Sequence, residues 1–515
     1  MNMYKIGIDV GGTNTDAVII DESKTIIAKT KQLTTADISE GIGNALNAVI
    51  SQVSLDLNLV SHVMLGTTHC TNALIEREKL NKIAHFRIGT PSAQAISPLP
   101  DWPKDLSSKI VDHIFQIEGG FEFDGRPIGN FNEEKIVQIL KSIENKISAI
   151  SVAGVFSKID SSQEIRGKEL VEKVLGQIPV SMSHQIGGLG LLERENATVI
   201  NSALMDIASH MVDGFREAVS SFGIEAKLYI SQNDGSLMSL DQAKKFPVLT
   251  ISSGPTNSLR GASALSNLDN AIVIDIGGTT SDAGILVNGF PRESNKHSDI
   301  GGVRTNFRMP DILSIGIGGG TIVNLSDGKL EVGPKSVGFD LTNKALCFGG
   351  DTLTLTDIAI IQEKMIIKGA SISGLNFNGI IPKVESIVQE EIEKLIDLLK
   401  TDPGAIPIVL VGGGSAVLPD MFEGASSIIR PENGEVANAY GVAIASISGE
   451  SEIVVNLNEV NRDDAIREVT ESAKRIAITS GAEVKSIKIV DLSDSPLAYL
   501  PNTTKIKVKV LGDLI

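Results

Sequence analysis

The chain has 515 residues, a length that exceeds one ordinary hydrophobic core and predicts two or three domains. Hydrophobic residues make up 42% and charged residues 21%, which is typical of a folded globular protein and excludes a disordered or fibrous one. The formal net charge of -17 disfavours nucleic acid and anionic membranes as partners, because both carry negative charge.

Two cysteines, Cys70 and Cys347, lie far apart and have no partner at metal-ligand spacing, so we expect two reduced thiols. The N-terminal segment lacks the apolar core of a signal peptide, and no apolar run approaches the roughly 18 residues of a membrane span. These features predict a cytoplasmic protein.

Strand-like and helical segments alternate along most of the chain, which predicts an α/β fold. The first, IGIDVGGTNTDAVII at residues 6–20, has the pattern of two strands joined by a glycine turn. Further along the chain we expect a buried strand at residues 146–156 and helices at residues 194–219 and 383–400.

The first segment returns 266 positions later (275 minus 9) as IVIDIGGTTSDAGIL at residues 272–286. Each copy ends a strand in Asp, continues with Gly-Gly-Thr and reaches a second Asp. Glycine lets backbone N–H groups approach phosphate oxygens, whereas Asp9 and Asp275 would repel phosphate and suit Mg²⁺ held through its waters. A Gly-Gly-Thr turn also occurs in ordinary hairpins, but the doubled pattern predicts two hairpins that close on a triphosphate.

A third glycine segment, IVLVGGGSAVLPD at residues 408–420, predicts a buried strand, a glycine loop and the start of a helix. An adenine ring could lie against the loop backbone, and the helix N-terminus would offer N–H groups to a phosphate. Neither the Gly-x-x-x-x-Gly-Lys-Ser/Thr loop nor a Gly-x-Gly-x-x-Gly dinucleotide loop occurs in the sequence.

The C-terminal region changes pattern to one strand, one helix and two strands. We therefore predict a first lobe at residues 1–195 with an insertion near residues 89–130, a second lobe at residues 196–450 and a small α+β module at residues 451–515.

The order of two phosphate hairpins and an adenosine loop resembles the two-lobed actin-like ATPase fold, which is ribonuclease H-like. Other segments, in order, resemble the hydantoinase A / 5-oxoprolinase family, including N-methylhydantoinase A-like proteins. They are GTTHCTNALIER (66–77), RENATVINSAL (194–204), SQNDGSLMS (231–239), ISSGPTNSLRGA (251–262), IGIGGGTI (315–322), VGPKSVG (332–338) and LTLTD (353–357). Departures such as Leu65, where the family usually has His, leave the particular cyclic amide open.

This resemblance implies an ATP-dependent hydrolase, or the ATP-binding subunit of one, that phosphorylates the carbonyl oxygen of a hydantoin, 5-oxoproline or another lactam. It implies ATP and Mg²⁺ as cofactors, allows K⁺, and allows a separate B-type hydantoinase subunit or a homo-oligomer as partners. The alternatives are an acetone- or acetophenone-type carboxylase subunit, a non-catalytic ATP-binding regulator and a small-molecule kinase.

The resemblance also assigns residues. Asp9 and Asp275 would organise Mg²⁺, and Asp16 and Asp282 would orient the hairpins or move protons. ATP would contact Gly11, Gly12, Thr13, Asn14, Gly277, Gly278, Thr279, Thr280, Gly412, Gly413, Gly414 and Ser415.

Three further candidate catalytic residues, Thr67, Thr68 and His69, sit with Asn72 at a predicted strand-to-helix junction that would face the cleft. The alternatives are a plain helix N-cap for Thr67 or Thr68 and a structural role for His69. Asn72, His184 and Arg304 are candidate substrate contacts.

Overall fold

A computed structural model describes residues 3–35, 37–143, 146–294, 298–306, 309–326, 329–371, 377, 379–498 and 500–515. The elements before residue 190 are β1 (Tyr4–Val10), β2 (Asn14–Ile20), β3 (Ile26–Leu33), α1 (Ile38–Ile50), β4 (Val60–Thr67), α2 (His69–Glu76), β5 (Ile83–Thr90), α3 (Lys104–Ile110), β6 (Val111–Glu118), α4 (Glu133–Ser142), β7 (Ala149–Gly154), α5 (Ser162–Leu175) and β8 (Val180–Met182).

The second part of the chain contains α6 (Leu191–Ser221), β9 (Lys227–Ser231), β10 (Leu237–Ser239), α7 (Leu240–Lys245), α8 (Ser253–Ser266), β11 (Ala271–Ile276), β12 (Ser281–Val287), β13 (Phe290–Pro291), β14 (Ser298–Ile300), β15 (Val303–Thr305), β16 (Ile312–Ile315), β17 (Thr321–Ser326), β18 (Lys329–Ser336), α9 (Leu341–Lys344), α10 (Leu355–Ile361), α11 (Ile381–Leu399), β19 (Ile406–Val411), β20 (Ala425–Ile429), α12 (Ala437–Ala443), β21 (Ile447–Asn456), α13 (Arg462–Thr479), β22 (Lys488–Pro496) and β23 (Thr503–Gly512). Within the described ranges, no helix is both long and apolar enough to cross a membrane.

The largest sheet has nine strands in the order β22-β23-β21-β10-β9-β4-β1-β2-β3. Strand β1 pairs antiparallel with β2 and parallel with β4, as expected for the first predicted hairpin. The C-terminal strands join this sheet, because β21 pairs parallel with β10 and antiparallel with β23. The predicted α+β tail thus has the expected strand, helix and two strands, but it extends the N-terminal sheet instead of forming a separate one.

The predicted boundaries after residues 195 and 450 fall inside two continuous elements, α6 and β21. Strands β9 and β10, which lie within the predicted second lobe, pair in the nine-stranded sheet. The domain boundaries therefore stay a prediction.

A second sheet repeats the local arrangement of the first. Its order is β13-β12-β11-β19-β20, and β16 also pairs with β12. Strand β11 pairs antiparallel with β12 and parallel with β19, as β1 does with β2 and β4. Each repeated sequence segment therefore forms a hairpin beside a parallel strand.

A third sheet has four parallel strands, β6-β5-β7-β8, within residues 83–182, a segment that includes the predicted insertion near residues 89–130. Helices α4 and α5 cover one face with apolar side chains, and α6 packs against β7. The segment at residues 83–182 thus has a hydrophobic core of its own.

Helices α8 and α12 lie between the two hairpin-bearing sheets. Helix α12 packs on the nine-stranded sheet and α8 on the second sheet, and the two helices pack on each other. A Cβ atom on Gly261 would overlap the carbonyl oxygen of Ala437, and one on Gly441 would overlap that of Asn257. The two helices can approach this closely only because both positions lack a side chain.

This contact predicts opposite effects for two glycine-to-alanine substitutions in helices. Gly441→Ala should lower the free energy of unfolding by about 1–3 kcal/mol, because the added methyl group forces α8 and α12 apart. Gly43→Ala in α1 is the matched control: no atom lies within 4 Å of the added Cβ, so alanine should be neutral or stabilise by about 0.5–1 kcal/mol. Denaturant melts of both variants test this, and equal effects would contradict it.

Candidate nucleotide-binding site

The two hairpins have the same geometry. Asp9 lies opposite Asp16 across β1 and β2, and Asp275 lies opposite Asp282 across β11 and β12. Both turns close with the same backbone hydrogen bond: Gly11 N donates to Asn14 O at 2.9 Å, and Gly277 N donates to Thr280 O at 2.9 Å. The repeated sequence therefore encodes a repeated structure, with two facing carboxylates behind each glycine turn.

Asp9 is buried and held by two amides. Asn438 Nδ2 donates to one of its oxygens at 3.0 Å, and Asn257 Nδ2 lies 3.3 Å from the other. Burial and, after it, the charge of Asp16 raise the pKa of Asp9 from its usual value near 3.8 to about 7, although the two amides oppose the shift. A Cβ atom on Gly66 would overlap an oxygen of Asp9, so the glycine before Thr67 is required here.

Asp275 has a matching environment in the second sheet. Ser258 Oγ donates to Asp275 at 2.5 Å. Burial raises the pKa of Asp275 to about 6, opposed by the Ser258 hydrogen bond and assisted by the charge of Asp282. Asn257 and Ser258 are consecutive residues of α8, so one helix turn contacts the carboxylates of both hairpins.

The second carboxylate of each hairpin is bound from the neighbouring strand. Lys31 Nζ of β3 lies 2.6 Å from Asp16, and Ser314 Oγ donates to Asp282. Burial raises the pKa of both carboxyls, although Lys31 opposes the shift at Asp16. The other Asp16 oxygen, Oδ1, is buried and has no hydrogen-bond partner among the described residues. Both expected roles of this pair, orienting the hairpins and moving protons, stay predictions.

The third glycine segment packs directly on the second hairpin. Gly412 has φ of +84°, and a Cβ atom there would overlap an Asp275 oxygen. Gly414 N donates to Ile276 O at 2.9 Å, whereas Gly413 is exposed beside Lys31. The predicted helix after this loop is wrong: Ser415–Val417 form a single 3-10 turn, because Leu418 and Pro419 continue in extended and irregular backbone. The loop therefore offers its backbone and no helix N-terminus.

The strand-to-helix junction at residues 67–72 adjoins the first hairpin. Thr68 N donates to Val10 O at 3.1 Å, and its hydroxyl donates to the same oxygen at 3.3 Å. Thr68 occupies the N-cap position of α2 without a capping hydrogen bond, so a plain N-cap does not describe it. Asn72 Nδ2 lies 4.0 Å from the Cβ position of Gly12, which places the amide beside the phosphate turn.

His69 and Thr67 are hydrogen-bonded to each other. His69 Nδ1 lies 2.8 Å from Thr67 Oγ1, and His69 N donates to that hydroxyl at 3.2 Å. Burial lowers the pKa of His69, and Lys79 lowers it further, so the ring is neutral at neutral pH. A neutral ring suits a base and a structural residue equally, and both roles stay predictions.

The other two candidate substrate residues lie elsewhere. His184 Nδ1 is 2.6 Å from Glu164 Oε2, next to the four-stranded sheet. Arg304, whose side chain is 60% exposed, lies 3.4 Å from Glu193. Neither makes a contact with the hairpins within the part of the chain that the structure describes, and their substrate roles stay predictions.

Sequence reasoning missed the residues that bind the hairpin carboxylates. Asn257 and Ser258 belong to ISSGPTNSLRGA, a segment that was noticed for its resemblance and given no role. Asn438 and Lys31 gave no signal at all, because their positions depend on how α12 and β3 pack. An Asn-Ser pair shortly after a Ser-Gly-Pro helix start is the one available hint.

These residues fit MgATP. The described residues contain no group of three His, Cys, Asp or Glu able to hold a metal alone. Mg²⁺ commonly keeps several waters and binds through one or two carboxylates and phosphate oxygens. Asp9 and Asp275 would bind those waters, and ionising both at once is unfavourable without a cation. Gly12 and Thr279 are exposed in their turns and would receive phosphate oxygens. The space beside Gly12 is open apart from Asn72 Nδ2, whereas the backbone of Gly318–Gly320 packs against the turn that holds Thr279.

Comparison with known proteins gives two family matches. Residues 5–175 match the hydantoinase/oxoprolinase N-terminal region, and residues 194–368 match hydantoinase/oxoprolinase. An uncharacterized protein of Methanocaldococcus jannaschii is 24% identical over 99% of this chain and 82% of its own length.

Two relatives with named activities are longer than this chain. Caprolactamase subunit alpha of Pseudomonas jessenii is 26% identical over 75% of this chain, and acetophenone carboxylase gamma subunit of Aromatoleum aromaticum is 26% identical over 69%. The matched regions span 58% and 52% of those relatives.

The comparison with solved structures agrees with the family matches. The crystal structure of ATP-dependent caprolactamase from Pseudomonas jessenii superposes with a TM-score of 0.77 at 19% identity, over 99% of this chain and 88% of that one. This likeness shows the fold, and the predicted two-lobed actin-like α/β class is confirmed.

The buried carboxylates predict a stability difference that depends on pH. The folded-state pKa of Asp9 is raised above its unfolded value, so ionising Asp9 destabilises the fold increasingly from about pH 4 to pH 7. Asp9→Asn removes this cost. In thermal melts without ligand, the variant should gain stability over the wild type as pH rises through this window. Asp397→Asn, at an exposed position of α11, is the control, and a pH-independent gap for Asp9→Asn would contradict the assignment.

The affinity for MgATP should also depend on the ionisation of Asp9 and Asp275, but it should rise with pH where the stability of the fold falls. The cation requires ionised carboxylates, so affinity should rise with pH through about 6 to 7 and then level off, with proton release on binding. Asn257→Ala removes a hydrogen bond that lowers the pKa of Asp9, so the midpoint should move to higher pH. Calorimetry in two buffers measures both, and an unchanged midpoint in the variant would argue against this role of Asn257.

Proposed function

This chain belongs to the hydantoinase/oxoprolinase family, and from that premise we propose that it binds MgATP and phosphorylates the carbonyl oxygen of a cyclic amide. One observation carries the proposal. Asp9 and Asp275, one from each hairpin-bearing sheet, are bound by the consecutive residues Asn257 and Ser258. The carboxylates of both hairpins therefore meet at one helix turn, where a triphosphate and its cation would be held from two sides.

The chemistry supports ATP as an activator. An amide resists water because its nitrogen donates electrons into the carbonyl group. Transfer of the γ-phosphoryl group to the carbonyl oxygen would give an activated imidate. Water would then add at its carbon, departure of the ring nitrogen would open the ring and leave an acyl phosphate, and a second water would release phosphate. Overall, one lactam, one ATP and two waters give one amino acid, one ADP and one phosphate. Phosphoryl transfer needs positioning and charge neutralisation above all. The backbone N–H groups of the two hairpins would position the phosphates, and a cation held by their carboxylates would neutralise charge.

Specific side chains have roles in this proposal. Asp9 and Asp275 hold Mg²⁺ through its waters, and Lys31 favours the ionised form of Asp16 beside them, against the effect of burial. The backbone of the two Gly-Gly-Thr turns binds phosphates, and the Gly412–Gly414 loop supports the adenosine. Thr67, Thr68 and Asn72 adjoin the first turn, where the acceptor amide would lie.

A partner subunit, a second cation and a cytoplasmic site of action are part of the same proposal. A separate B-type subunit would complete ring opening, in keeping with the subunit names of the two relatives. K⁺ is a further cation that the assay should test by omission. Dependence on ATP is consistent with a cytoplasmic site of action.

One specific observation favours a second candidate function. The acetophenone carboxylase gamma subunit is as similar in sequence as the caprolactamase subunit, at 26% identity each. A carboxylase subunit would use the same hairpins to phosphorylate bicarbonate or an enol. It would release ADP only when bicarbonate and a ketone are present.

The first test is ADP release from MgATP by the purified chain, with and without 5-oxoproline, hydantoin and ε-caprolactam. We expect one ring to stimulate release, and Asp9→Asn to lower the rate by about 10- to 100-fold, as for other groups that orient a metal's ligands. Asp397→Asn should leave the rate unchanged.

Three results would decide between the functions. Stimulation by bicarbonate plus ketone, and by no ring, would replace the hydrolase with the carboxylase. Tight MgATP binding without turnover, even after addition of a co-purified partner subunit, would indicate a regulatory ATP-binding protein. Release of a stable phosphoester would indicate a kinase.

A further inference from the structure

Strand β3 brings a positive charge to the first hairpin. Asp9 lies opposite Asp16 across β1 and β2, and Asp16 lies opposite Lys31 across β2 and β3. Residues directly opposite each other in an antiparallel pair have their side chains on the same face of the sheet. Two carboxyl groups and one ammonium group therefore form a row across three strands, and the ammonium group belongs to β3, an edge strand of the sheet.

Lys31 is bound on one side only. Its Nζ lies 2.6 Å from Asp16 Oδ2, and the side chain of Asp16 is 2% exposed whereas that of Lys31 is 32% exposed. Asp16 is its one hydrogen-bond or ion-pair partner within the ranges that the structure describes. An ammonium group carries three N–H donors, so Lys31 has donors available to a ligand on its solvent side.

The glycine loop after β19 lies against the same lysine. The Cβ position of Gly413, which is exposed, is 3.8 Å from Lys31 Cε. A Cβ atom on the preceding residue, Gly412, would overlap an oxygen of Asp275. Lys31 therefore lies where the first hairpin and the glycine loop meet, beside residues of both hairpin-bearing sheets.

The sheet topology separates Lys31 from the side where the acceptor amide would lie. Strands β4 and β3 flank the first hairpin on opposite sides, in the order β4-β1-β2-β3. Thr67 ends β4 and Asn72 follows in α2, whereas Lys31 belongs to β3 and adjoins Gly413. We therefore expect a ligand group on Lys31 to belong to the nucleotide and not to the cyclic amide.

The charges around the hairpins are mostly negative. Among the described residues, the four facing carboxylates of the two hairpins have Lys31 as their one ion-pair partner. A triphosphate would add several negative charges, and a divalent cation would compensate only part of them. Lysine is a common phosphate binder, because its ammonium group acts as a point charge.

We propose that Lys31 is a phosphate-binding residue of the ATP site, and that its ammonium group donates to Asp16 and to phosphate oxygens of the nucleotide at the same time. The inference rests on the proposed function and adds a phosphate contact from outside both glycine turns. Asp16 then has a defined task, because it holds the ammonium group at the edge of the cleft.

A competing explanation is that Lys31 only balances the charge of Asp16. The two explanations differ in a protein that lacks this charge. If Lys31 acts through Asp16 alone, removing Lys31 from an Asp16→Asn variant has no effect on nucleotide affinity. If Lys31 binds phosphate, the effect of removing it persists in that variant.

Calorimetry with the full chain and MgATP measures this difference. Lys31→Met should weaken MgATP binding by about 10- to 100-fold, because a charged hydrogen bond to phosphate is lost. Combined with Asp16→Asn, it should still weaken binding by about 10-fold relative to Asp16→Asn alone. Lys488→Met removes an exposed lysine from β22, the opposite edge strand of the sheet, and should leave the affinity unchanged.

Equal MgATP affinities of Asp16→Asn and the double variant would overturn the proposal. This comparison stands even if Lys31→Met alone fails to fold around an unpaired Asp16, because the double variant lacks that buried charge.

A ligand without a nucleoside tests which part of ATP is contacted. Magnesium tripolyphosphate, titrated as a competitor of MgATP, should compete about 10- to 100-fold less well in Lys31→Met than in the wild type. Equal competition, or none, in both proteins would contradict a phosphate contact.

Failure here is distinguishable from failure of the proposed function. Ring-stimulated ADP release together with equal MgATP affinities of Asp16→Asn and the double variant would contradict this inference alone. MgATP binding that depends on Lys31 in both backgrounds, without ring-stimulated ADP release, would contradict the proposed function alone.

Discussion

The close crossing of α8 and α12 is the constraint on which the site depends. Gly261 and Gly441 let the helix backbones touch, and Gly7 does the same between β1 and α12. This stack fixes the separation of the two hairpin-bearing sheets at a distance that short side chains can span. Asn257 and Asn438 reach Asp9 from the two helices, and any wider spacing would leave that carboxylate buried without partners.

The electrostatics of the cleft follow from that packing. Four carboxylates face each other in two pairs, of which Asp9 and Asp16 are buried and Asp275 and Asp282 are half-buried. Loss of solvent raises the pKa of each one. Lys31 is the cation that contacts Asp16, and it does not contact Asp9. Ionising these carboxyls is therefore costly in the folded chain, and a bound cation would lower that cost. A binding site trades stability for function in this way.

The sequence predicted the parts of this site that are local. A repeated Asp, Gly-Gly-Thr, Asp segment specifies a hairpin from its own residues, so both hairpins and their facing carboxylates were predictable. The glycine loop after β19 was predictable for the same reason. The 3-10 turn at Ser415–Val417 was not, because the pattern of strand and glycine loop indicated the start of a helix. The residues that contact the hairpin carboxylates could not be predicted, because they approach them only when distant segments pack. They are Asn257, Ser258, Asn438 and Lys31. The C-terminal module shows the same limit, because its strand pattern was evident while its pairing with β10 depends on an open edge elsewhere.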